Sequence, residues 1–145
     1  MTEPKLYFDN EHELLDVVHE WQERLGLSDW YIAARICKRE DMNLEDCAGE
    51  SEVQFLHKCA LVSILRKEDL PNDLLIKQPM EETVIHELLH CRFISFDEHS
   101  REDAVFEIMQ HQLLNDMARA LFITKYNLSP DWFIAEKHLE SEKSE

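Results

Sequence analysis

Between Asn10 and Leu25 the apolar residues fall at Leu14, Leu15, Val17, Val18, Trp21 and Leu25, the three-to-four spacing of a single helix face. Asn10 is placed to cap the start of that helix, and Gly26 to end it just past the C-cap. Residues 30–37 (WYIAARIC) follow a Ser28-Asp29 turn signal, are aromatic and rich in strand formers, and predict a strand. The stretch 38–52 is polar and acidic and reads as a loop, with 53–56 as a second short strand. Residues 59–65 (CALVSIL) form a continuous apolar run of strand length. Pro71-Asn72-Asp73 marks 67–78 as a connection.

The second half reads as helical. Residues 81–93 follow Pro79, and Glu81 and Glu82 occupy the first turn, where the helix dipole favours acids. A polar break at 96–101 (FDEHSR) precedes a long helix over 102–125, whose apolar positions are Phe106, Met109, Leu113, Met117 and Leu121. Ser129 and Pro130 supply an N-cap and first-turn pair for a last helix over 131–139, and 140–145 is charged and frayed. The order of a helix, two or three strands and then helices predicts an α+β fold with helices on one side of a small sheet. No internal repeat or low-complexity segment interrupts it.

Composition narrows the picture. A chain of 145 residues that is 44% hydrophobic supports one core, expected over 1–139 with a flexible tail at 140–145. Acids outnumber bases 31 to 15, for a net charge of −16. That balance argues against nucleic-acid backbone binding, which needs cations to displace counterions, and against docking on an anionic membrane. It permits a basic partner or a bound cation. No apolar run approaches the roughly 18 residues of a membrane span, and the first ten residues do not resemble a signal peptide. Cys37, Cys47, Cys59 and Cys91 form no CxxC pair and read as reduced thiols, which fits a cytoplasmic protein.

His86-Glu87-Leu88-Leu89-His90 is the motif that carries chemistry. On a helix, positions i and i+4 share a face, so both imidazoles can reach one ion. Glu87 points about 100° round from His86, beside the ion, where it can take a proton from water. Val84, Ile85, Leu88 and Leu89 frame the motif with apolar side chains. A chain of this composition is expected to contain roughly 0.06 such matches by chance. A catalytic zinc wants a third protein ligand and an open position. Three candidates lie on the long helix: Glu102, Glu107 and His111. With the apolar face centred near Phe106, Leu113 and Met117, both glutamates flank it more closely than His111 does, which mildly favours a glutamate. Glu107 and His111 are one turn apart, so one could ligate while the other orients a ligand.

Three segments carry a resemblance to a family: 26–32 (GLSDWYI), 82–90 (ETVIHELLH) and 111–121 (HQLLNDMARAL). Together they resemble the small HExxH metallopeptidase-like proteins of phages, prophages and bacteria, which are similar to minimal gluzincins and more distantly to SprT-like domains. The resemblance implies a zincin-like domain, with a short, mostly antiparallel sheet carrying the HExxH helix and a ligand-bearing helix. It implies Zn²⁺ as cofactor, Glu87 as general base, a peptide or protein substrate, and residence in the cytoplasm, or in the host cytoplasm if phage-encoded. The family's third ligand is usually a glutamate just before the segment that reads QLLNDMARAL here. His111 occupies that position, 21 residues beyond His90 and close to the gluzincin interval. The departure points to a three-histidine site through His111, with Glu107 as the alternative. In such zincins an edge strand borders the cleft and can pair with an extended peptide. Residues 59–65 are a candidate for that strand or for a covered core strand, and Tyr126 and His99 are the nearby polar candidates for stabilising an oxyanion.

Other features have plainer explanations. His12 and His19 share an exposed helix face, His57 beside Cys59 and the thiol of Cys91 read as packing, and Trp21, Trp30 and Trp132 read as core anchors. The acids Asp97, Glu98, Glu102 and Asp103 read as a solvated loop and helix start. No phosphate loop, serine-nucleophile motif or basic aromatic stripe is present in the sequence. Besides a metallopeptidase, two other functions remain open: a non-catalytic, zinc-stabilised protein-binding module, and an acidic decoy that blocks a basic protein without zinc.

Overall fold

A computed structural model describes residues 3–93 and 104–134 of the chain. Helix α1 spans Glu11–Arg24, and the Asn10 side chain accepts the Glu13 N–H at 3.0 Å as an N-cap. Its other end closes as sequence predicts. Gly26 takes φ +71°, the Leu27 N–H reaches back to the Gln22 carbonyl at 2.6 Å, and the Gly26 N–H reaches Glu23 at 3.2 Å. Arg92 donates to the freed Leu25 and Gly26 carbonyls at 2.9 and 2.6 Å. A side chain at position 26 would both strain the backbone and collide with that guanidinium.

Three strands follow: β1 (Tyr31–Cys37), β2 (Gly49–Gln54) and β3 (Cys59–Leu65), in the spatial order β1-β3-β2. The sheet is mixed rather than mostly antiparallel. β3 runs parallel to β1, with Ala34 opposite Val62, and antiparallel to β2, with Ser51 opposite Val62. β3 is therefore the central strand and not an edge. It carries the most apolar sequence of the three and is buried along most of its length, and a strand covered on its faces reads as a continuous apolar run. β2 begins earlier than the composition of 38–52 implies, and Phe55–His57 is a 3₁₀ turn rather than the end of the strand. Lys58 then turns the hairpin with φ +52°.

One face of the sheet builds the core. Ile32, Ala34 and Ile36 of β1 lie level with Ala60, Val62 and Ile64 of β3, and all join the cluster formed by Leu14, Val18 and Trp21 of α1. Helix α2 (Met80–His90) packs on the same cluster through Val84, Ile85, Leu88 and Leu89. It stops at His90, three residues short of the predicted end. Helix α3 (Ala104–Tyr126) completes the core with Leu114, Ala118 and Phe122. Its buried stripe is Gln110, Leu114, Ala118 and Phe122, not the predicted face. Met109 and Leu113 are 61% and 43% exposed. Pro130–Phe133 is a single 3₁₀ turn, capped by Ser129, after which Ile134 is extended and bridges Ile76. The predicted helix over 131–139 therefore does not run through Ile134. The predicted break at 96–101, with His99 and Glu102, lies outside the described residues. Among the described residues the architecture is α+β, with a three-stranded sheet and three α-helices. No helix among the described residues is long and apolar enough to cross a membrane.

A partly buried ionic knot joins the helices. Lys125 Nζ of α3 donates to Glu81 of α2 at 2.9 Å and to Glu20 of α1 at 2.9 Å, and the Tyr126 hydroxyl donates to Glu81 at 2.9 Å. Burial opposes the Lys125 charge, but its hydrogen bonds to Glu81 and Glu20 outweigh that cost and hold its pKa above the ordinary value. Burial raises the Tyr126 phenol as well. Both groups bind their proton more tightly when folded. Their stabilisation is complete below the unfolded values of about 10 to 10.4 and is lost as pH rises through the folded values. Urea unfolding should therefore show stability falling above about pH 10. Lys125→Met, which strands Glu81 in the core, should cost about 3 kcal/mol at pH 7 and flatten that alkaline fall.

Candidate metal centre

α2 and α3 run antiparallel. Glu81 and Glu82 at the start of α2 meet Lys125 and Arg119 of α3, while His86 and His90 meet His111. The helical spacing of HExxH places His86 and His90 on one face, with Nε2 atoms 3.3 Å apart. The His111 ring stacks nearly parallel to that of His86, with centroids 5.6 Å apart, and stands 5.4 Å from that of His90. The potential donor nitrogens of the three lie within 4.8 Å of one another, the one such group among the described residues.

This donor set fits zinc. Two nitrogens bound at ~2.05 Å to a tetrahedral ion stand roughly 3.3 Å apart. The His86–His90 separation equals that spacing and is long for an N–H···N hydrogen bond. His90 is buried, and His86 and His111 are partly buried. Glu107 is exposed and lies outside the cluster. The physical reason is the position of the α3 stripe. His111 lies one turn before Leu114 and Asn115 and faces α2 with them, whereas Glu107 falls on the solvent side.

The three histidines open onto a cleft of about 520 Å³ between α2, α3 and β2. Glu87 lines it and is buried. Gly49, the first residue of β2, makes that placement possible. A Cβ there would come within 2.5 Å of the Thr83 methyl and 3.4 Å of Glu87 Cγ, so the missing side chain lets α2 sit directly on the strand. The cleft's outer wall is the loop before β2. Buried Glu50 accepts the backbone N–H groups of Asn43 and Leu44 at 2.9 and 3.0 Å, and Arg39 holds the Cys47 carbonyl at 2.9 Å. Burial, then the charges of Glu50 and Glu87, raise the Cys47 thiol above its usual pKa.

Other candidates fall elsewhere. Tyr126 belongs to the ionic knot and does not line the cleft, and His99 lies outside the described residues. His12, His57 and Cys59 are not part of the cluster. The strand that borders the cleft is β2, whose outer edge pairs with no other strand among the described residues. Asn115 and Arg119 follow His111 at one-turn intervals and line the same cleft, yet the sequence reading passed over both. Helical periodicity would have found them once the buried stripe was centred on Leu114. No protein-family model, curated protein or solved structure matches this chain.

Zinc titration against a chromophoric chelator should give one ion per chain. His111→Ala should weaken binding about 100-fold or more, and Glu107→Ala should leave it unchanged. Gly49→Ala should cost about 1–3 kcal/mol in thermal unfolding by forcing α2 away from β2.

Proposed function

We propose that this protein is a small zinc-dependent metallopeptidase with a zincin-like core, acting on a peptide or protein chain. The supporting observation is the convergence of His86, His90 and His111 beside buried Glu87, in a cleft bordered by a strand whose outer edge pairs with no other strand among the described residues. His86, His90 and His111 would hold the ion. When bound, zinc supplies a Lewis acid that acidifies a water and polarises a carbonyl.

The chain's own residues do the rest. The outer edge of β2 offers backbone donors and acceptors that align an extended substrate by strand addition. Glu87, held against Gly49 with its side chain buried, accepts the proton of the attacking water and delivers it to the leaving amine. Three neutral imidazoles add no negative charge to the donor set. A carboxylate as the third ligand would add one and weaken the pull on the water's proton.

A second reading is supported by the exposed apolar residues Val105, Ile108, Met109 and Leu113 at the start of α3. They would suit a zinc-stabilised module that binds a partner protein without cutting it. Glu87→Gln separates the two. The peptidase reading expects cleavage of a proteome-derived peptide library to fall at least about 100-fold, with zinc content unchanged. A wild-type protein that cuts nothing while holding one zinc favours the binding module.

A further inference from the structure

Arg119 is the one arginine or lysine among the described residues that line the cleft, against the carboxylates of Asp46, Glu50, Glu82 and Glu87. Its placement is built. Phe133 lies under the guanidinium at 4.8 Å, and Glu82 accepts from Nη2 at 3.3 Å. That single contact is long for a charge-assisted bond, and it is not the paired geometry an arginine makes with a carboxylate it fully satisfies. Buried Arg119 Nε and Glu82 Oε2 have no hydrogen-bond partner among the described residues. The pair is thus incompletely satisfied at the lining of a cleft, where a buried group without a partner calls for an explanation. Burial also raises the Glu82 carboxyl above its ordinary value, with the Arg119 charge and hydrogen bond opposing it.

We infer that Arg119 is a specificity-determining residue that binds a carboxylate of the substrate roughly three residues from the scissile bond. The spacing follows from the helix. Arg119 lies eight residues beyond His111 on the same face, roughly 12 Å along the axis. An extended peptide covers that distance in three to four residues. Elsewhere the cleft's acids repel an anion, so the substrate's negative group is directed to this one position. The carboxylate has two possible sources: the free C-terminus of a short peptide, or an Asp or Glu side chain within a longer one. The inference rests on the metallopeptidase reading.

The test uses the zinc-loaded full chain and a proteome-derived peptide library, with cleavage sites read by mass spectrometry. The best-cut peptide is then synthesised with its C-terminus free or amidated, and with any nearby Glu replaced by Gln. The wild type should favour the carboxylate-bearing form by about tenfold or more in kcat/KM, mainly through KM. Loss on amidation identifies a C-terminal carboxylate, and loss on the Glu-to-Gln change identifies a side chain. Arg119→Met should bring the ratio near one. Glu82→Gln, by removing the competing carboxylate, should lower KM for the carboxylate form, a gain that misfolding cannot mimic. Zinc-dependent cleavage with no carboxylate preference, or a preference that survives Arg119→Met, overturns the inference and leaves the peptidase reading intact. No zinc-dependent cleavage overturns both.

Discussion

The contact between α2 and α3 is the constraint on which the rest depends. α2 is buried along almost its whole length, and its register against α3 is set at one end by Lys125 on Glu81. That tie strongly favours one alignment, because a slip of one turn would leave Glu81 charged and unpaired in the core. With the register fixed, His111 arrives opposite His86 and His90, and Arg119 opposite Glu82. The same knot reaches α1 through Glu20, so the centre is coupled to the first helix as well as to the sheet.

The sheet contributes differently. β3 provides the apolar centre, while β2, among the described residues, pairs on one side only and meets α2 through a glycine. That glycine lets Glu87 lie directly against the strand. The loop before β2, pinned by Glu50 and Arg39, closes the remaining side of the cleft. The described residues thus build a walled cleft from one helix pair, one strand and one pinned loop.

Much of this was legible in the sequence, and the exceptions have physical causes. α1 was readable because its cap and its terminating glycine are local signals, and β3 because a covered strand writes itself as an apolar run. β2 was obscured because its residues, GESEVQ, are mostly polar. Its strand state comes from pairing with β3, not from intrinsic preference. The face of α3 was misjudged because Met109 and Leu113 are exposed while Gln110 and Ala118 are buried, so apolar character and burial diverge along that helix. The HExxH spacing named two histidines and a glutamate from one turn of helix. His111 was reachable through the position of the segment that follows it. Gly49, Glu82, Asn115 and Arg119 carry no motif of their own, and only the packing of α2 on its neighbours brings them to the cleft.

The central claim is that three imidazoles form one zinc site. X-ray absorption at the zinc edge of the metal-loaded protein tests it most directly. The account predicts three imidazole nitrogens and an oxygen near ~2.0 Å, falling to two imidazoles in His111→Gln. Sulfur scattering at ~2.3 Å, or a three-imidazole spectrum that survives that substitution, would contradict it.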